Sequence, residues 1–94
     1  MNNYEILFII KGSLEDEAKE EAIKRYQEAI VAGGGNIEKT DKWGMRKFAY
    51  PINHMNEGYY VLINFSAPSE LPKELDRQMR ISDDIVRSMI VKKA

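Results

Sequence analysis

The sequence has no cysteine and a single histidine, His54, among its 94 residues. The first absence excludes disulfide scaffolds, thiol nucleophiles and cysteine-ligated zinc. The second removes most triad chemistry and most metal sites built on imidazole. No apolar run is long enough to span a bilayer, so no membrane partner is expected. The run from Ile6 to Ile10 is too short for a secretory leader and lacks a small-residue cleavage site. A basic excess is also missing: the net charge is −1, which does not indicate a generic nucleic-acid binder. The expectation is an intracellular, soluble, single domain over residues 1–94, large enough to bury a core without staples.

Charge is present but unevenly placed. Residues 1–38 carry four cations against eight acids, and residues 39–94 carry ten cations against seven acids, giving −4 and +3. An anionic partner is therefore expected on the second half.

Periodicity supplies the elements. Tyr4 to Ile10 alternates, with Tyr4, Ile6, Phe8 and Ile10 on one face and Glu5, Leu7 and Ile9 on the other. A strand apolar on both faces belongs in the middle of a sheet. "GSLEDEAKEEAIKRYQEAIVAGGG" predicts a helix with Ser13 as N-cap, acids at Glu15, Asp16 and Glu17 where the helix dipole favours them, and a triple-glycine stop. Its apolar face is Leu14, Ala18, Ala22, Tyr26, Ala29, Ile30 and Gly33. A second strand starts near Asn36 and runs to Ile52, interrupted at Trp43-Gly44, and Asn53 to Gly58 reads as a turn or loop. "YYVLINF", Tyr59 to Phe65, is a second central strand. A shorter helix through "KELDRQM" follows, with Ser69 as N-cap, Pro72 in its first turn and Leu71, Leu75 and Met79 on one side. Ile85 to Lys92 is the last strand. The order βαββαβ predicts an α+β, ferredoxin-like fold: a four-stranded antiparallel sheet with two helices on one face, the first and third strands central and the second and fourth at the edges.

The stretch "WGMRKFAYPI", Trp43 to Ile52, crowds two cations, three aromatics, a glycine and a proline into an edge strand. Gly44 suggests a bulge, Pro51 is tolerated at an edge, and Arg46 and Lys47 discourage edge-to-edge pairing. A cation flanked by aromatics is also how proteins grip RNA, so edge protection and recognition both remain open.

Catalysis has little to stand on. Asp83-Asp84 reads as a turn between helix and strand, the Glu15-Asp16-Glu17 run answers a helix dipole, and His54 sits in a polar loop. No enzyme activity, cofactor, metal or small-molecule substrate is expected. "AGGGN" follows a helix instead of preceding one, so it is a helix stop and not a phosphate cradle. The RNA-recognition motif shares the βαββαβ order, but "EGYYVLINF" places Glu57 where its signature asks for a cation. A purely structural sheet domain that pairs through an edge or face is the remaining alternative.

Three segments in order, "YEILFII", "GMRKFAYPI" followed after a short loop by "GYYVL", and "RISDDIVRSMIVK", carry a resemblance over essentially the full length. The chain resembles the bacterial small-subunit ribosomal protein six family. That resemblance implies a non-catalytic constituent of the cytoplasmic ribosome that binds the central domain of small-subunit ribosomal RNA as a heterodimer with small-subunit ribosomal protein eighteen. A basic partner would also account for the near-zero net charge, since the partner would supply much of the phosphate contact. The residues it carries over are Tyr4 from the first strand, Arg46, Lys47, Tyr50 and Pro51 from the second, and Arg80, Asp83, Arg87 and Lys92 from the last segment. Arg80, Arg87 and Lys92 are assigned to phosphate, Lys47 and Tyr50 to either partner, and Asp83 to fixing an arginine or capping the turn. Asn2 stands where a basic residue is frequent in relatives.

Overall fold

The computed structural model describes residues 1–52 and 55–93, so His54 and the start of the expected Asn53–Gly58 loop lie outside the described residues. The elements are β1 (Asn2–Lys11), α1 (Asp16–Ala32), β2 (Asn36–Ile52), β3 (Met55–Ala67), α2 (Leu71–Ile81) and β4 (Ile85–Lys93). They form one antiparallel sheet in the order β2-β3-β1-β4. This is the ferredoxin-like arrangement that the periodicity predicts, with the doubly apolar strands β1 and β3 in the middle.

Burial follows the pleat. Ile6, Phe8 and Ile10 of β1 and Val61, Ile63 and Phe65 of β3 are fully enclosed, together with Ala22, Ile23, Tyr26 and Ile30 of α1 and Leu75 and Met79 of α2. Each large side chain removed from water in this way contributes about 1.5–3 kcal/mol. The layer between sheet and helices is therefore the source of the fold's stability. Phe8 meets Tyr26 edge-on, with ring centroids 5.6 Å apart, the arrangement that ring quadrupoles favour.

The helix ends differ from the sequence reading at their starts and agree at the glycine stop. Ser13 does not cap α1. It lies in a turn marked by the Leu14 N–H donating to the Lys11 carbonyl, and Glu15 is the N-cap residue, without a side-chain cap bond. Ser69 is likewise displaced by Glu70, because a turn closed by the Leu71 N–H on the Pro68 carbonyl delays α2. Pro72 falls in the first turn of α2, where its missing N–H costs nothing. At the C-terminus of α1 the Gly35 N–H donates to the Ile30 carbonyl and the Gly34 N–H to the Val31 carbonyl, with Gly34 at φ 88°. That is a Schellman stop, and it needs a residue without a Cβ at Gly34.

The α1 face also includes two residues that the apolar pattern omits, Ile23 and Lys19. The Lys19 stem lies along the core edge while its ammonium sits 5.5 Å from the centre of the Tyr59 ring, 3.7 Å from Met45 Sδ and 3.9 Å from an Asp16 oxygen. A long cationic side chain can bury its methylenes in this way and keep its head on polarisable partners.

The part of the expected loop that is described is strand instead. Met55 to Gly58 belong to β3 and pair back with β2, Ile52 with Met55, Lys47 with Glu57 and Arg46 with Gly58. Opposite charges facing each other across the ladder support pairing there in spite of the polar composition. Pairing of β1 with β3 ends at Lys11 opposite Gly58, so beyond that point β2 and β3 continue alone as a two-stranded arm.

Candidate nucleic-acid interface

The pleat gives the sheet a second face, turned away from the helices. Register places Glu5, Leu7 and Ile9 of β1 on it, opposite Asn64, Leu62 and Tyr60 of β3 and opposite Val91, Met89 and Arg87 of β4. Ile9 is buried there by its neighbours, but Met89 is 60% and Val91 50% exposed. A shallow cavity on this face is lined by Leu7, Ile9, Arg87, Ser88 and Met89. On β2 the same face receives Arg46, opposite Gly58, and Gly44, opposite Tyr60.

At Trp43 and Gly44 the strand bulges. The ladder shifts between Lys42 and Gly44, and Gly44 has φ 86°. A Cβ added there would meet nothing within 4 Å, so conformation and not crowding requires the glycine. The bulge turns Trp43 onto the open face, where its ring lies parallel to Tyr60 at 6.3 Å between centroids. Lys42, one residue earlier, points to the helix side and is paired with Glu20 at 2.7 Å.

The residues carried over from the family resemblance fall into two groups at opposite edges of the sheet. On the β2 side, Arg46, Lys47, Tyr50 and Pro51 are all exposed, Tyr50 at 73%, with Lys47, Tyr50 and Pro51 in or at the base of the arm. On the β4 side, a groove runs between β4 and α2. Tyr4, Lys73, Asp76 and Lys92 line one end of it, and Asp76, Arg80, Arg87 and Ser88 line the other. Asp76 is common to both ends and holds Arg80 at 2.9 Å. The arginine partner expected for Asp83 is therefore taken by another acid in the case of Arg80. The turn at Ser82–Asp84 is instead held by the Asp84 N–H donating to Ser82 Oγ at 3.3 Å.

Tyr4 stands apart from the rest of its group. It is 6% exposed, and its ring packs against Phe65 at 5.6 Å in the helix-side layer, so its ring has no free face for a base. Only its hydroxyl is at the rim, accepting from Asn2 Nδ2 at 3.3 Å. The alternation that predicts Tyr4 on the core face of β1 already contains this outcome.

Lys73 is the groove residue that the sequence reading missed. It lines the same end as Lys92, and its signal in the sequence was only its place in the first turn of a helix packed beside an edge strand. Among the described residues no carboxylate pairs with Arg46, Lys73, Arg87 or Lys92, and Lys47 faces Glu57 across the ladder, whereas Arg77, Arg80 and Lys93 are paired with Glu74, Asp76 and Glu5. The unpaired cations are the ones that retain their full attraction for an anionic chain. Metal chemistry has no comparable focus, since no cluster of three candidate ligands occurs among the described residues.

Comparison with known proteins gives one consistent result. The family model described as Ribosomal protein S6 matches residues 3–92. The chain is 54% identical over 91 residues to the small ribosomal subunit protein bS6 of Clostridium novyi, a match that covers 97% of this chain and 96% of that protein. It is 45% identical over 92 residues to the bS6 protein of Alkaliphilus oremlandii, covering 98% and 97%. Among solved structures, 30S ribosomal protein S6 from Thermotoga maritima superimposes with a TM-score of 0.94 at 33% identity, covering 98% of this chain and 87% of that one.

Proposed function

The chain belongs to the ribosomal protein S6 family of the small ribosomal subunit, and from that premise we propose that it binds the central domain of small-subunit ribosomal RNA. It does so as a heterodimer with small-subunit ribosomal protein eighteen, in the cytoplasmic ribosome, and its role is structural and non-catalytic. The observation that carries this reading is the open sheet face. An aliphatic surface on which Met89 and Val91 are exposed and Leu7 and Leu62 are half-buried lies open beside the unpaired Arg87. Contiguous exposed apolar surface rimmed by charge is the mark of a partner interface.

Phosphate contact is assigned to the β4 side. Lys92 and Lys73 at one end of the α2–β4 groove, and Arg87 at the β4 edge between the groove and the open face, are the cations that meet the sugar-phosphate chain. Arg80, already held by Asp76, is the weaker contributor. On the opposite edge Arg46, Lys47 and Tyr50 meet RNA or the partner protein. The division of labour fits a net charge of −1, because a protein that binds beside a basic partner needs local cations and no overall excess.

The test is a titration of a central-domain ribosomal RNA fragment with this protein, with the partner protein, and with both. Tight, salt-sensitive binding only with both is the expected result. Arg87→Ala should then lower the slope of log affinity against log salt by about one phosphate contact, and Arg80→Ala by less. Tight binding without the partner would overturn the heterodimer reading, and an unchanged slope in both variants would remove the β4 side from the interface.

A further inference from the structure

The bulge on β2 assembles, around Arg46, three rings to which neither the family resemblance nor the groove assigns a role. Trp43 and Tyr60 lie parallel, with 6° between their planes, and Phe48 leans on Tyr60 at 6.3 Å. The Arg46 guanidinium stands over Trp43, 5.4 Å from the ring centroid.

A brace for the bulge would explain Tyr60 and Phe48, both half-buried, and Phe48 lies close above Gly58. It does not explain Trp43. An indole that served only as packing would be drawn inward, since aromatic side chains carry the largest apolar area available to a core. Here Trp43 remains 41% exposed at the outer end of the row. Charge points the same way. Register sets two carboxylates on this face, Glu5 and Asp41, and each is held by its own lysine: Lys93 at 3.8 Å and Lys39 at 3.4 Å. Arg46 has no carboxylate partner among the described residues. A guanidinium without a carboxylate partner, lying over a part-exposed ring that it can leave for a phosphate as a base takes its place, is complementary to a flat group attached to an anion. An unpaired nucleotide has that form. Single-stranded nucleic acid is gripped by stacking its bases on aromatic rings and guanidinium planes, with cations on the backbone. The aliphatic half of the same face, around Leu7 and Met89, has neither rings nor this arrangement.

We propose that Trp43, backed by Tyr60, is a stacking site for one unpaired RNA base, with Arg46 taking the adjoining phosphate. The site deepens the RNA-binding reading above and rests on it, and it adds a contact on the sheet face opposite the helices, at the other edge from the α2–β4 groove. Because every base presents a flat π-face, the site takes a class of ligand, single-stranded nucleotides, without choosing among bases.

Trp43 is the only tryptophan, so its fluorescence reports on this site alone. The full chain is titrated with a short single-stranded oligoadenylate and, separately, with inorganic polyphosphate as a probe that has charge but no base. Quenching by the oligoadenylate and not by polyphosphate is expected. Binding of labelled oligoadenylate should weaken about tenfold in Trp43→Leu, the loss of one base–aromatic stack. It should stay close to the parent in Trp43→Phe, which keeps a ring and covers the case in which the leucine variant does not fold. Arg46→Gln should lower the salt slope by about one contact. Equal quenching by polyphosphate, or equal affinity of the parent and a folded Trp43→Leu, would overturn the proposal. So would a tryptophan signal that moves with the partner protein and not with RNA. If the ribosomal RNA fragment still binds through Arg87 and Lys92 while Trp43→Leu changes nothing, this site fails and the RNA-binding reading stands. If no mixture binds the fragment, the reading itself fails.

Discussion

On β1, Ile6 and Phe8 are sealed beneath the helices, while Leu7 between them faces the other way and stays half-exposed. The same contrast repeats on β3, where Val61, Ile63 and Phe65 are enclosed and Tyr60 and Leu62 are not. Both faces are apolar, but only one has a cover supplied by this chain. Covered apolar surface stabilises the fold; uncovered apolar surface lowers solubility and is retained where a partner covers it. The helix-side layer is thus where stability is measured, and the open face is where the proposed association with a protein partner is measured.

A pair of neighbouring truncations would break that comparison most directly. Phe65→Ala should cost about 3–5 kcal/mol in urea unfolding, because it removes a fully buried ring and leaves a cavity between sheet and helices. Leu62→Ala, three residues away on the open face, should cost less, about 1–2 kcal/mol, since its side chain is only half-buried and its loss leaves no enclosed cavity. Its larger effect should appear in the heterodimer titration. Comparable losses of stability in the two variants would mean that the open face is as much a core as the covered one.

Gly44 lies at the boundary of the comparison, in the bulge that delivers Trp43 to the open face. Gly44→Ala should destabilise by about 1–2 kcal/mol through its positive φ alone, as no atom stands in the way of the added methyl. Because straightening the bulge would also move Trp43, the indole emission of the free protein should shift. Gly34→Ala, with φ 88° at the end of α1, should cost a similar amount and leave the emission where it was.

The contrast between faces was legible in the sequence because a period of two assigns every residue of β1 and β3 to a side, and the order βαββαβ assigns the helices to one of them. What the pattern could not supply was set by local geometry. Ser13 and Ser69 are good N-cap residues in the wrong place, because a backbone turn before each helix uses up the chain that they would have capped. Met55 to Gly58 looked like a loop by composition, yet cross-strand pairing with Arg46 and Lys47 makes it strand. Of the residues proposed for the interface, the exposed cations of both edges could be picked from sequence segments. Trp43 could not, because the side on which a residue in a bulge emerges is decided by the bulge itself. Nor could Lys73, whose place beside Lys92 depends on how α2 lies against β4.

The smallest effect should come from a surface belonging to neither face, the solvent side of α2. Glu74 accepts hydrogen bonds from Arg77 Nε at 3.0 Å and Gln78 Nε2 at 3.2 Å, and the Arg77 bond is the main reason its pKa is lowered to about 2. Arg77 is raised in turn by the same carboxylate. A carboxylate held below its ordinary value of about 4.3 stabilises the fold at every pH above that value. The contribution declines as pH falls from there and is gone once pH passes below the folded value. Thermal midpoints of the parent and Glu74→Gln should therefore differ most near neutrality and converge between about pH 4.5 and pH 2. The difference should be small throughout and shrink with added salt, because the pair is open to solvent. Binding to RNA and partner should not change in this variant. If it did, the solvent side of α2 would have to be counted as part of the interface, and the division between one face for stability and one for association would no longer hold.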